Sequence, residues 1–182
     1  MKKVSQQNKL YSILMSENII ERIENETDFL ISIIPKIKDM IGFEHNHTHH
    51  NLDVWKHTLK ALSFAKNIFE VRLALLLHDI GKPHCVQFDG SINHYRGHNK
   101  ISYDIAKKAL IDLEYNEYIV NTVCEIILKH DTPICKSDIE ENLELSNLIF
   151  EVQKCDVYAH NSEYNEKRIK YLNKTEKLFT NS

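Results

Sequence analysis

Apolar residues recur along this chain at spacings of three and four, the period of a helix that buries one face. The pattern predicts helices over about 6–16, 18–38, 53–69, 71–80, 99–113, 116–130 and 145–175. Between residues 81 and 97 the period lapses, and Gly81, Gly90, Gly97 and Pro83 gather there. That is the one long irregular loop, and long ordered loops in compact domains tend to be functional. Asp53 stands where it can cap the helix starting at Val54, and Pro133 ends the helix before it. With 4 glycines and 3 prolines the chain lacks the turns of a sandwich or barrel. The predicted class is all-α.

Several of these apolar stripes carry one polar intruder. His57 lies on the face of Val54, Ala61, Phe64 and Ile68. His130 follows Ile119, Val123 and Ile126, and Asp156 sits among Ile149, Val152 and Ala159. A fourth helix runs Leu73–Leu77 and stops in His78-Asp79, directly before Gly81 and Pro83. A single buried histidine is usually bonded to a carbonyl, and Asp156 alone could pair with His160. Four helices each turning such a group inward are another matter. Burying them unpaired costs several kcal/mol at most, and one divalent cation satisfies imidazole and carboxylate together. The end of the fourth helix also carries the negative pole of its dipole, which favours a cation.

Composition adds bounds. Apolar residues make up 42% and charged residues 27%, with a net charge of −3, so a general nucleic-acid coat is excluded. The longest aliphatic run, Leu73 to Leu77, falls far short of the roughly 20 residues of a membrane span. Met1 to Lys9 leads into no signal-peptide core, and Cys85, Cys124, Cys135 and Cys155 are scattered. A soluble protein of the reducing cytoplasm is expected. No repeat or linker divides the chain. Residues 1–182 are expected to form one domain, its core about 45–165 with the helices of 6–38 packed on it.

The ordered set His57, His78-Asp79 and Asp156 resembles the H…HD…D pattern of the HD-domain metal-dependent phosphohydrolases. Locally, His78-Asp79-Ile80-Gly81-Lys82-Pro83 resembles that family's HDIGKP, and Asp53-Val54-Trp55-Lys56-His57-Thr58-Leu59 its DVWxHTL. Asn93 to His98 is similar to the family's HFxGH stretch, and Asp156 to His160 to its ADxxAH. The likeness is greatest to the carboxy-terminal HD half of bacterial tRNA nucleotidyltransferases and covers about residues 10 to 165. Nothing here resembles their nucleotidyltransferase head, so nucleotide addition is not implied.

The resemblance implies a helical bundle of the HD type with a divalent transition metal (Fe, Mn, Ni, Co or Zn) on His57, His78, Asp79 and Asp156. His98 and His130 match the positions that hold a second metal where Asp79 bridges; otherwise they serve as proton donors beside the substrate. The apolar setting of His130 favours two ions. The implied reaction is hydrolysis of phosphate mono- or diesters, commonly of nucleotides, including 2′,3′-cyclic ones. Asp79, Lys82, His98 and His130 are the catalytic candidates, and Lys82 and Arg96 the phosphate contacts. The rival is a non-catalytic module, stapled by metal, that binds a nucleotide or RNA.

Other residues are expected to matter less. His45 and His47 are read as exposed and silent within a cluster that includes His49, while His50 borders the site. Asp131 is set aside because Thr132-Pro133 replaces the Gly-Lys context. His84, His94 and His160 are at most supporting groups. The basic residues from Lys167 to Lys177, interleaved with Glu166 and Glu176, read as a solvated helix face, with RNA contact the less favoured alternative.

Overall fold

The computed structural model describes residues 2–46, 52–161 and 165–180. Ten α-helices are found among them, with one two-stranded hairpin. The first three are α1 (Lys2–Leu14), α2 (Ile19–Asn25) and α3 (Thr27–Ile33), followed by a 3-10 turn over Pro35–Met40. Then come α4 (Val54–Ser63), α5 (Phe69–Leu77) and a 3-10 turn at Lys82–His84. The hairpin pairs β1 (Gln87–Phe88) with β2 (Asn93–His94), antiparallel. The rest are α6 (His98–Asp112), α7 (Glu117–Lys129), α8 (Lys136–Glu141), α9 (Leu143–Ala159) and α10 (Glu166–Thr180). The all-α expectation holds.

The core is built on α5. Its residues from Val71 to Leu77 are all buried, as a helix apolar on every side must be. Helices α4, α7 and α9 pack around it and α6 lies against α7. Helices α1 and α2 close the amino-terminal side against α5 and α4. The centre of the bundle is therefore the place where α5 ends, and that is where the polar intruders meet.

Three predicted helices are shorter than their periodicity suggests. The span 18–38 divides because Pro35 drives Ile34 into an extended conformation (φ −134°, ψ 81°). The span 53–69 ends at Ser63, so Phe64 leaves the buried stripe and lies 48% exposed against Tyr158. Buried Arg72 donates to the Lys66 carbonyl just past that end, and its other donors take the carbonyls of Leu14 and Ser16 at the end of α1. The span 145–175 breaks at His160, whose Nδ1 bonds the Asp156 carbonyl at 2.8 Å. That carbonyl would otherwise take the next helical N–H, so the side chain ends the helix by competing with the backbone. Helix α8 and the small hairpin are additions that the pattern does not predict. Among the described residues, no helix is long and apolar enough to cross a membrane.

Candidate metal centre

Helix ends place the site. Asp53 caps α4 by accepting from the Lys56 N–H at 2.7 Å, which sets His57 on the first turn facing inward. His78 caps the carboxyl end of α5, with Asp79 immediately after it. His98 opens α6 and His130 closes α7, while Asp156 projects from the last turn of α9. All six side chains are buried.

They form two groups that share one residue. Ligand atoms of His57, His78, Asp79 and Asp156 lie within 4.8 Å of one another, and so do those of Asp79, His98 and His130. The two oxygens of Asp79 divide between them. Its Oδ2 is 3.3 Å from His78 Nε2 and 3.7 Å from His57 Nε2. Its Oδ1 is 3.3 Å from His98 Nε2 and 3.9 Å from His130 Nε2. Asp156 Oδ1 completes the first group, 2.8 Å from His57 Nε2 and 3.6 Å from His78 Nε2.

The imidazoles are oriented from behind. Nδ1 of His78, His98 and His130 donates to the carbonyls of Leu75, Tyr95 and Ile127 at 2.7, 2.9 and 2.6 Å. A carbonyl only accepts, so these contacts assign the proton to Nδ1 and leave Nε2 with a lone pair in the neutral ring. This is how metal-binding histidines are usually held. The consequence is sharp for His98 and His130, whose Nε2 atoms stand 3.1 Å apart. Two lone pairs at that distance repel unless a cation lies with them. Among the described residues, His78 Nε2 and Asp79 Oδ1 are buried with no hydrogen-bond partner, a cost that needs an explanation. The donor set therefore fits divalent transition metals.

Electrostatics agree. Burial opposes a charge on His78, but Asp79 and Asp156 outweigh it and lift its pKa to about 10. The cluster draws in positive charge, and a metal ion would compete with that proton. Both carboxyls are held well below the usual range despite burial, Asp79 chiefly by His78 and Lys82, Asp156 chiefly by His160 and His57. Burial lowers His130 and favours its neutral, ligating form.

Lys82 is buried, and its ammonium donates to Asp79 Oδ2 at 2.7 Å. Burial works against its charge, yet Asp79 holds the pKa above the ordinary lysine value. It orients Asp79 and also lines a cavity at the centre. Arg96 is exposed on the wall of the same cavity.

Three expectations need correction. His45 is only 1% exposed. Its Nδ1 bonds the Leu52 carbonyl at 2.8 Å and its Nε2 lies 3.4 Å from the Lys82 ammonium, so it buttresses Lys82. Burial and Lys82 depress its pKa to about 3, which keeps the ring neutral beside that cation. Asp131 belongs to the site, with Oδ2 3.3 Å from His98 Nε2 and 3.7 Å from His130 Nε2. Lys167 and Arg168 face a cavity at the centre, so the start of α10 is not merely a solvated face. His160 packs on His57 with ring centroids 5.2 Å apart. His84 and His94 pair with Asp39 and Asp89 instead. His47, His49 and His50 lie outside the described residues.

Two cavities open onto the cluster. One of about 250 Å³ is lined by His130, Asp131, Asp156, Val157, Arg168 and Tyr171. The other, about 360 Å³, is lined by Lys82, Tyr95, Arg96, His98, Asp131 and Arg168. Each touches members of the metal-ligand set, so a phosphoryl group at the cluster would have room on two sides.

Comparison with known proteins agrees with this geometry. The chain is 31% identical to the CC-adding tRNA nucleotidyltransferase of Thermus thermophilus over 104 residues, which is 53% of this chain and 24% of that protein. It thus spans about a quarter of that relative's length. The HD-domain profile matches residues 49–161, more than half of the chain, and that stretch carries His57, His78, Asp79, His98, His130 and Asp156. HD domains are generally metal-dependent phosphohydrolases with an all-helical fold. The helical bundle, the His/Asp cluster at its centre and this match together make the chain a member of the HD-domain family.

Proposed function

We propose that this protein is a metal-dependent phosphohydrolase with two ions, acting on phosphate mono- or diesters of nucleotides, 2′,3′-cyclic ones included. One observation carries the reading: the two oxygens of Asp79 face two separate groups of ligating side chains. His57, His78, Asp156 and Asp79 Oδ2 would hold one ion, and His98, His130 and Asp79 Oδ1 the other. Divalent Fe, Mn, Ni, Co or Zn supplies Lewis acidity there, lowering the pKa of a water and neutralising phosphoryl charge.

The protein's own groups do the rest. Lys82 fixes the Asp79 carboxylate and lines the second cavity, where it would share a phosphoryl oxygen. Asp131 Oδ2, at the mouth, takes up the proton released as a water oxygen bonds to phosphorus and the ester P–O bond breaks. The leaving oxygen then regains that proton. The apolar shell of α5 and α7 keeps bulk water from the ligands.

In this reading residues 1–182 form a single domain whose core is about 45–165, braced by α1 to α3. Four unpaired cysteines fit a reducing cytoplasm. The substrate is a small phosphorylated molecule. Because the Thermus relative is named for tRNA, RNA belongs in the assay as the less favoured substrate.

The test is metal analysis of the purified protein together with turnover of bis(p-nitrophenyl) phosphate, p-nitrophenyl phosphate and a nucleotide panel, each with several divalent metals. Hydrolysis that needs bound metal and stops with a chelator is expected. Full metal content with no hydrolysis of any ester would favour the non-catalytic binding module.

A further inference from the structure

Helix α10 follows the family match, which ends at residue 161, yet it builds one wall of the site. It is firmly seated. The Tyr171 hydroxyl donates to Gln153 Oε1 and accepts from the Ile134 N–H, both at 3.0 Å. Gln153 Nε2 in turn donates to the carbonyls of Lys129 and Thr132, the turn that carries His130 and Asp131. Leu172 is buried beneath. Arg168, one turn before Tyr171 on that fixed helix, lines both cavities.

Arg168 is half-buried, and among the described residues its guanidinium has no hydrogen bond or ion pair. The same holds for Arg96 across the larger cavity. That cavity brings Lys82, Arg96 and Arg168 together against one carboxylate, Asp131. Lys82 is already committed to Asp79. Two guanidiniums, each with a planar fork suited to phosphate oxygens, remain unused by the centre. A single phosphoryl group on the cluster does not need them.

The smaller cavity has a different character, with Pro133, Val157 and Tyr171 in its walls. Its volume of about 250 Å³ lies just below the roughly 300–1,000 Å³ of small-molecule sites, enough for one ring system and too little for folded RNA.

We infer that Arg96 and Arg168 form a subsite for a second, non-reacting phosphate, and that the substrate is a free nucleotide carrying at least two phosphates. This deepens the phosphohydrolase reading and rests on it. The base occupies the cavity beside Tyr171, the scissile phosphate meets the cluster, and the other phosphate lies between the two arginines. Arg96 lies within the family match and Arg168 beyond it.

Calorimetry on the metal-loaded protein tests it, with AMP and the non-hydrolysable α,β-methylene analogue of ADP as probes and elemental analysis before and after. The diphosphate analogue is expected to bind at least about tenfold tighter than AMP, the worth of one charge-assisted contact. Arg168→Ala and Arg96→Ala should each remove about that factor for the diphosphate and leave AMP within threefold. Arg168→Lys, which keeps the charge and loses the fork, should recover only part. Equal affinity for the two probes in fully loaded wild-type protein would overturn the subsite and leave the phosphohydrolase reading standing. Tighter binding of a short 5′-phosphorylated RNA than of the analogue would overturn the free-nucleotide assignment. A protein that takes up no metal would overturn both.

Discussion

Asp79→Ala protein is expected to lose both metal ions and all measurable hydrolysis in one step. Losing a group that merely orients a ligand costs about 10–100-fold in metal affinity or activity. Asp79 faces both ligand groups, 3.3 Å from His78 and 3.3 Å from His98, so its loss should exceed that range. The substitution also strands Lys82, a buried ammonium whose nearest anion it removes. Breaking a buried pair in this way costs about 3–5 kcal/mol, enough to threaten folding. Asp79→Asn therefore accompanies it, keeping the shape and a hydrogen bond without the charge. Elemental analysis of the folded variant is the readout. Wild-type metal stoichiometry there would remove Asp79 from the centre.

The second large effect belongs to a residue with no side chain. Gly81 has φ −81°, so its backbone would accept any residue; the space around it would not. A Cβ there would stand 2.5 Å from the His98 carbonyl, 2.6 Å from the Ser102 amide and 2.8 Å from Ser102 Oγ. The first two are backbone atoms, so α6 itself must retreat, and His98 retreats with it. The Ser102 hydroxyl also accepts from the Gly81 N–H at 2.9 Å, a contact the shift would stretch. Gly81→Ala is expected to cost about 1–3 kcal/mol of stability, typical of overpacking. Turnover should fall about 100-fold, the usual penalty for misplacing a reacting group by an ångström. The ion on the His98 side should be lost while the other remains. A thermal melt and metal analysis check this together; an unchanged melting temperature with full metal content would contradict it.

How much of this could be seen in the sequence varies with the kind of signal. His57, His130 and Asp156 stood out because a polar group inside a 3.6-residue apolar stripe is conspicuous, and all three are buried at the centre. His78 and Asp79 stood out because the helix stops on them. His45 did not, because it begins a run of polar loop residues where no apolar period marks what is buried. The contacts of its ring with Lys82, the Leu52 carbonyl and the His57 ring show its place. Asp131 was hidden by the turn after α7, since residues in a turn have no face that a period can assign. Arg168 was hidden in a helix of alternating charge, a pattern shared by solvated faces and by walls of a charged cleft.

The fold shows the same division. Helix existence follows from apolar period, and every long periodic span contains helix. Where helices stop depends on single events that periodicity does not record. Pro35 does so through its effect on Ile34, His160 by taking the Asp156 carbonyl, and Arg72 by holding the Leu14 and Ser16 carbonyls at the end of α1, 58 and 56 residues away. The last is a tertiary contact with no local trace.

The proposed centre holds two metal ions, one on either side of the Asp79 carboxylate. Crystals of the manganese-loaded protein, with anomalous diffraction recorded at the metal absorption edge, test it directly. Two peaks roughly 3.5–4 Å apart are expected, one among His57, His78 and Asp156 and the other beside His98 and His130. A single peak with both His98 and His130 free of it would contradict the two-ion centre, and no peak at Asp79 would contradict the site itself.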